Sequence, residues 1–325
     1  MGAEWGQRWV GRVLDGRYRI ERVIGSGGMG AVVAATQLAL ERPVAIKILA
    51  PEVRRDVDAV ARMQREARLA ASAGGEGVVD IIDFAIDETL GPYIVMELLH
   101  GESLEARIAR VGPLSIAEAV HIATSALDTL ALIHERGILH RDLKPANLVI
   151  ASSPAGERVK LLDFGISRLR EPTSDGVTPT LAGSAVGTPF YMSPEQRAGA
   201  PDLDARVDVY GMGGVLYACL TGRAPHEVTT AGVFPLTMSV VPRIESRTDV
   251  PPDLAAAVSR ALAPAREDRF ADARSMAAAL RTALMRPTRP GPAVQPSTHA
   301  AAHLRATHGA PSSSFARSAH AAPAR

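Results

Sequence analysis

Cysteine is almost absent: Cys219 is the only one in 325 residues, so neither a disulfide framework nor a thiolate metal cage can be built from this chain. Set among Leu216, Tyr217 and Leu220, it reads as a core residue, and the chain reads as cytoplasmic. Charge of one sign is lacking too. A formal net charge of +1 supplies no strong field, so no nucleic-acid partner is expected. The most apolar stretch, Val207 to Leu220, contains Asp208 and is too short for a bilayer, which takes ~20 apolar residues; a buried helix and no membrane span are expected. The opening Met-Gly-Ala-Glu-Trp-Gly lacks the basic-then-apolar pattern of a signal peptide and the Ser or Thr of a myristoylation motif, so no targeting is read there. Also missing is any G-x-x-x-x-G-K-[ST], which excludes a P-loop enzyme.

What is present is a hydrophobic content of 46%, enough for a substantial core. Short runs rich in β-branched residues, Tyr18 to Ile24, Ala31 to Thr36 and Val44 to Leu49, predict strands separated by a glycine turn and by Glu41-Arg42-Pro43. Asp56 can cap a helix with an apolar stripe of Val57, Val60, Met63, Ala67 and Ala70, beside which lies Glu66. Strands over Val78 to Phe84 and Tyr93 to Leu99 follow. Beyond Gly101 helices dominate: a long one after Ser115, where Ser-Ile-Ala-Glu forms a capping box, and others over Arg206 to Thr221, Asp253 to Ala263 and Asp272 to Leu284. A hairpin, Leu148 to Ile150 and Val159 to Asp163, brackets a turn at Ser152 to Glu157. From residue 285 onward Pro, Ala, Ser, Thr, His and Arg replace the apolar pattern and acids vanish, which predicts a disordered tail.

Three clusters carry chemistry. Gly25-Ser26-Gly27-Gly28-Met29-Gly30-Ala31-Val32 is a glycine loop in which missing side chains let backbone N–H groups reach phosphate oxygens. Alone it is equally a hairpin turn, and a dinucleotide fold would need a helix after it, where this sequence continues as strand. Lys47, in Val44-Ala45-Ile46-Lys47, can neutralise phosphate charge if a carboxylate holds it, and Glu66 is the candidate; the bland alternatives are an exposed strand lysine and a surface pair of Glu66 with Arg62 or Arg65. His140-Arg141-Asp142-Leu143-Lys144-Pro145-Ala146-Asn147 is far more specific, since five fixed residues would arise by chance with odds on the order of 1 in 10,000. Asp142 can accept a hydroxyl proton, Lys144 can bear on a transferring phosphoryl group, and Asn147 can ligate a divalent metal. Sixteen residues on, Asp163-Phe164-Gly165 offers a second oxygen ligand.

With these residues the chain resembles the eukaryotic-like, or Hanks-type, protein kinase family, and similarity in Asp15-Gly16-Arg17-Tyr18 and Ser193-Pro194-Glu195-Gln196 is to its bacterial serine/threonine members. The resemblance implies an α+β bilobal fold: a small antiparallel sheet with one key helix, then a larger helical lobe. The expected organisation is an extension at 1–17, a catalytic domain at 18–284 divided into lobes 18–99 and 100–284, and the tail at 285–325. It implies ATP with Mg²⁺, or Mn²⁺ as an alternative, and protein substrates bearing Ser or Thr, with self-association for autophosphorylation.

By the same resemblance, Gly25, Gly27 and Gly30, with Ser26, Gly28 and Met29, cover the phosphates, and Lys47 contacts them while paired with Glu66. Asp142 is the base, and Asn147 and Asp163 hold the metal. Ile24, Val32, Ala45 and Val149 sandwich adenine, Met96 is the gatekeeper, and the backbone of Glu97 and Leu99 forms the hinge. Glu195 pairs with Arg269, and Asp208 braces the catalytic loop. Arg141 with Thr178, Thr180 and Thr188 forms the regulatory set. The sequence departs from the family pattern at Ser193, where alanine is usual, at Ala73 to Gly77, and across Arg223 to Val250. A scaffold without catalysis would need a broken base, lysine or metal ligand, and each position is filled.

Overall fold

Alternation explains the first sheet. Along the central strand β4 (Arg42–Leu49), Val44, Ile46 and Ile48 point to one face while Ala45, Lys47 and Leu49 point to the other, and both faces are covered. In this computed structural model, which describes residues 2–28, 30–164, 189–226, 244 and 249–285, the sheet has six antiparallel strands. Their order is β1 (Val13–Leu14), β2 (Tyr18–Gly27), β3 (Gly30–Gln37), β4, β6 (Gly91–Glu97) and β5 (Ile81–Asp87).

Val44, Ile46 and Ile48 pack with Tyr18, Ile20, Val33, Tyr93 and Val95, and the tryptophans Trp5 and Trp9 close this outer face from a short helix, α1 (Gly2–Gln7), and the turn after it. The residues before Tyr18 are therefore folded onto the sheet. The inner face is covered by α2 (Val57–Ala73), where Leu49, Ile94, Met63 and Ala67 form a separate cluster.

Asp56 caps α2 by accepting from the Asp58 N–H at 2.9 Å, as expected. The apolar stripe is corrected at its start: Val57 is 79% exposed and Ala59 is buried instead. Val57 lies about 120° around the helix from Met63 at 3.6 residues per turn, too far to share its face. Strand β5 also begins later than expected, at Ile81, because Val78 leaves the first sheet to bridge Leu161. Arg42 and Pro43, read as turn, are paired with Gln37 and Thr36; of the three only Glu41, at φ 52°, lies in the turn, which runs from Leu38 to Glu41.

The second lobe is built on two buried helices. In α4 (Ile116–Glu135) the predicted Ala119, Ile122, Ala126, Leu130 and Ile133 are all buried. Ser115 Oγ accepts from the Glu118 N–H at 3.2 Å, while the Glu118 carboxylate accepts from Arg107. Among the described helices α4 alone is long and apolar enough to cross a membrane, and it is a core helix of this lobe. Helix α6 (Arg206–Thr221) is buried from Val207 to Leu220, Cys219 included. Gly211 is required there: a Cβ would stand 2.9 Å from Leu143, so glycine lets the loop ahead of it lie directly on the helix.

A second sheet of β7 (Gly101–Ser103), β8 (Leu148–Ser153) and β9 (Gly156–Leu161) sits at the junction, its hairpin strands running further into the predicted turn than expected. Among the described residues, helices α3 (Leu104–Val111), α5 (Pro194–Arg197), α7 (Pro252–Ala261) and α8 (Ala273–Met285) also belong to this lobe. The tail from 286 lies outside the described residues.

The Arg269 side chain is wholly buried and forks onto Glu195, with Nη1 and Nη2 at 2.5 and 2.8 Å from the two carboxylate oxygens. Burial alone would raise the Glu195 carboxyl, but Arg269 holds it below the ordinary range. Glu195→Ala leaves a buried guanidinium without its counter-charge and should lower unfolding free energy by about 3–5 kcal/mol in denaturant titrations. Because the folded value is depressed, this contribution is complete above the unfolded pKa of about 4.3 and is lost as pH falls toward the folded one. The gap between parent and variant should therefore narrow on acidification; a constant gap would show that the charge of Glu195 is not what stabilises.

Candidate active site

The register of the first sheet assembles one wall of a cleft. Val32 pairs across from Lys47, and Ala45 from Met96, so these four side chains share the face covered by α2. Ile24, 45% exposed, leads into the β2–β3 hairpin that carries the glycines. Glu66 projects from α2 toward that face, and its carboxylate accepts from Lys47 Nζ at 2.9 Å. The rival pairing with Arg62 is set aside by geometry, since Arg62 turns to Asp56 at 3.1 Å. Lys47 Nζ also lies 2.8 Å from Asp163 Oδ1, so one ammonium stands between two carboxylates delivered by different lobes.

The other wall comes from the loop between α4 and β8. Asp142 Oδ2 accepts from Lys144 Nζ and from Asn147 Nδ2, both at 3.0 Å. Asn147 Nδ2 also donates to the Asp142 carbonyl at 2.8 Å, which leaves the oxygen end of its amide for a cation. Arg141 and Asp163 have φ of 66° and 50°, left-handed conformations that cost side-chain-bearing residues roughly 1–3 kcal/mol each and persist where surroundings over-determine them.

Those surroundings are visible. The Asp208 carboxylate, buried in α6, accepts from the His140 and Arg141 N–H groups at 2.8 and 2.7 Å and from His134 Nε2 at 2.8 Å. His140 is itself buried, donates Nε2 to the Leu162 carbonyl at 2.8 Å, and packs on Phe164 with ring centroids 4.9 Å apart. The segment carrying Asp163 is thereby tied to the loop carrying Asp142.

Burial sets the charges. It would press the Lys47 ammonium down, but Asp163 and Glu66 outweigh it and hold the ammonium protonated above its usual range. Asp163 is held below the carboxylate range in spite of burial, chiefly by Lys47. Glu66 is pushed up to about 7 by burial, with Lys47 opposing and Asp163 adding to the rise. Burial also lowers His140, keeping it neutral, while Asp208 is lowered against burial by His134, His140 and the Arg141 N–H.

On the side expected to hold adenine, the Glu97 N–H donates to the Asp80 carbonyl at 3.0 Å, so of its backbone only the carbonyl can read a ligand. The Glu97 side chain accepts from Lys160 Nζ at 2.6 Å. Leu99 follows in the link to β7, and Val149 lies on β8 opposite Ser103. Met29, Thr178, Thr180 and Thr188 lie outside the described residues. Residues that pattern reading missed are His134, Lys160 and Gln196, whose Nε2 donates to the Arg141 carbonyl at 2.9 Å. Ser193, read as a small departure, is wholly buried and forms a reciprocal capping box with Gln196.

Known proteins are similar to this chain in sequence and fold. Serine/threonine-protein kinase pkn3 of Myxococcus xanthus is 38% identical over 280 residues, 84% of this chain and 51% of its own length. PknB of Mycolicibacterium smegmatis is 38% identical over 277 residues, 82% of this chain and 43% of its own. This chain thus spans about half or less of these curated relatives. The solved Mycobacterium tuberculosis PknI kinase domain superposes with a TM-score of 0.67 and 28% identity, covering 84% of this chain and 98% of that one. Residues 18–276 match the protein kinase domain family, and with the motifs, the two-lobed fold and these relatives in agreement, the chain belongs to the Hanks-type bacterial serine/threonine protein kinases.

Proposed function

We propose that this chain transfers the γ-phosphoryl group of ATP to Ser and Thr hydroxyls of protein substrates. The observation that carries the reading is convergence: Lys47, Glu66 and Asp163 meet within 2.9 Å of one another through the lysine, and Asp142, Lys144 and Asn147 meet within 3.0 Å through the aspartate. The family uses ATP with a divalent metal.

The residues fit both. Gly30 is required by the protein itself, because a Cβ would fall 1.9 Å from the Ile48 carbonyl oxygen. At Gly25, Gly27 and Gly28 a Cβ would meet nothing and no left-handed φ asks for glycine, so the missing side chains serve something outside the protein, and phosphate approaching the backbone is that need. Asp163, with 46% of its side chain open to the cleft, and the Asn147 amide oxygen are hard oxygen donors suited to Mg²⁺, with Mn²⁺ as an alternative. Bound there, the ion would supply positive charge toward the phosphoryl oxygens.

Asp142 accepts the proton of the substrate hydroxyl as its oxygen bonds to the γ-phosphorus and the bond to the β–γ bridging oxygen breaks, releasing ADP. Lys144 bears on the transferring group, and Lys47, positioned by Glu66, takes the α- and β-phosphates. Ile24, Val32, Ala45 and Val149 enclose adenine, with Met96 behind it and the backbone of Glu97 and Leu99 at its edge. Autophosphorylation between copies of the chain extends this reading. Arg141 Nε is buried without a hydrogen-bond partner among the described residues, a donor suited to a phosphate on Thr180 or Thr178.

Transfer of labelled phosphate from ATP to a generic basic protein tests the class, with label expected on Ser and Thr. Lys47→Met and Asp163→Ala should each abolish transfer while thermal melts stay cooperative; near-parental turnover in Asp163→Ala would remove the metal assignment. Asp142→Asn should lose most of the ~10²- to 10⁴-fold owed to a positioned base. Turnover equal to the parent would reassign that role. Mass spectrometry after incubation with Mg²⁺ and ATP should find phosphate on Thr178 or Thr180. An unmodified segment together with full activity of the double alanine variant would refute autophosphorylation there.

A further inference from the structure

Asp142 leaves the backbone from a peptide plane that it shares with the Arg141 carbonyl. The orientation of that plane sets where the carboxylate points, and its two polar atoms are both engaged. The Asp142 N–H faces His140 Nδ1 at 3.4 Å, and the Arg141 carbonyl accepts from Gln196 Nε2 at 2.9 Å. One peptide earlier, Asp208 holds the Arg141 N–H at 2.7 Å. Between the two holds sits Arg141 at φ 66°, a conformation that a side chain bearing a Cβ disfavours and that fixing the N–H side alone does not maintain on the carbonyl side.

Gln196 is not a loose surface amide. Its Oε1 accepts from the Ser193 N–H at 3.2 Å and from Ser193 Oγ at 3.1 Å, while its own N–H donates back to Ser193 Oγ at 3.4 Å. Ser193 is wholly buried. This pattern fixes the amide's sense: with oxygen and nitrogen exchanged, the NH₂ would face the Ser193 N–H and an oxygen would face the Arg141 carbonyl. The residue before it, Glu195, is anchored on buried Arg269, so the whole of α5 is a fixed support.

We propose that Gln196 is a positioning residue for the base: oriented by Ser193, it clamps the Arg141–Asp142 peptide from the carbonyl side, opposite the hold of Asp208. This rests on the reading of Asp142 as the base.

Two variants separate this from simple packing. Gln196→Glu keeps an acceptor for Ser193 but sets a carboxylate oxygen against the Arg141 carbonyl, and Gln196→Met keeps the length while losing the polar contacts. The full chain, Asp142→Asn and both variants are compared for kcat and KM for ATP with a generic basic protein substrate, alongside Tm. Each Gln196 variant should lose about 10- to 100-fold in kcat, the effect of misplacing a reacting group by roughly an ångström, with KM for ATP and Tm near parental values. Parental kcat in either folded variant overturns the clamp. So does a kcat loss matched by a rise in KM for ATP, or failure of both variants to fold, since each makes Gln196 a scaffold residue. If the parent transfers no more phosphate than Asp142→Asn, the functional reading itself fails, a result distinct from an active parent with unaffected Gln196 variants.

Discussion

A carboxylate buried in an apolar helix costs several kcal/mol unless hydrogen bonds replace its water, and Asp208 is buried almost completely within α6. Three donors meet that demand: the N–H groups of His140 and Arg141, and His134 Nε2. Two of them belong to the loop that carries Asp142. The loop cannot move away without stranding a charge in the core of the second lobe, so the energetic necessity of satisfying one buried acid becomes the geometric precision of another that stays open to the cleft. Gly211, one turn along the same helix, permits Leu143 to lie close enough for those bonds.

The first lobe is held to this frame by electrostatics. Lys47 sits on a strand whose alternation faces it toward α2, Glu66 comes from α2, and Asp163 comes from the segment after β9, which His140 and Phe164 tie to the loop carrying Asp142. Two acids compete for one ammonium in a partly buried site, which is why burial and mutual repulsion push Glu66 up to about 7 while Asp163 stays depressed. The arrangement is thus charged for exchange: a cation taking Asp163 would leave Lys47 to Glu66 and to incoming phosphates.

Much of this was legible in the residues alone, and the reasons are physical. The spacing from His140 to Asn147 encodes chemistry that tolerates few alternatives, and the helix period placed Glu66 at the edge of the buried face of its helix, a candidate partner for Lys47 on its strand. Periodicity failed where contacts are not periodic. Val57 looked like part of a stripe because it is apolar, although it lies off the buried arc, and Val78 read as strand although its partner, Leu161, belongs to another sheet. His134, Lys160 and Gln196 act through bonds to carboxylates or carbonyls distant in sequence, and a residue's type gives no signal of such a partner. Only the Ser-Pro-Glu-Gln run held a clue, since a Ser with Gln three residues on is a capping-box signature.

Ser193 shows how a small departure from the family's pattern changes what a neighbouring residue can do. Alanine at that position would leave the backbone N–H but no hydroxyl, and the Gln196 amide would be held at its oxygen by one donor instead of two. With serine, the capping oxygen both accepts from the start of α5 and donates to the side chain it caps, so helix initiation and amide orientation become a single cooperative unit. The strain at Arg141 is then opposed from two helices, α6 through Asp208 and α5 through Gln196, each anchored on an independent buried charge. A left-handed residue beside Asp142 is stable here because neither side of it is free to relax alone.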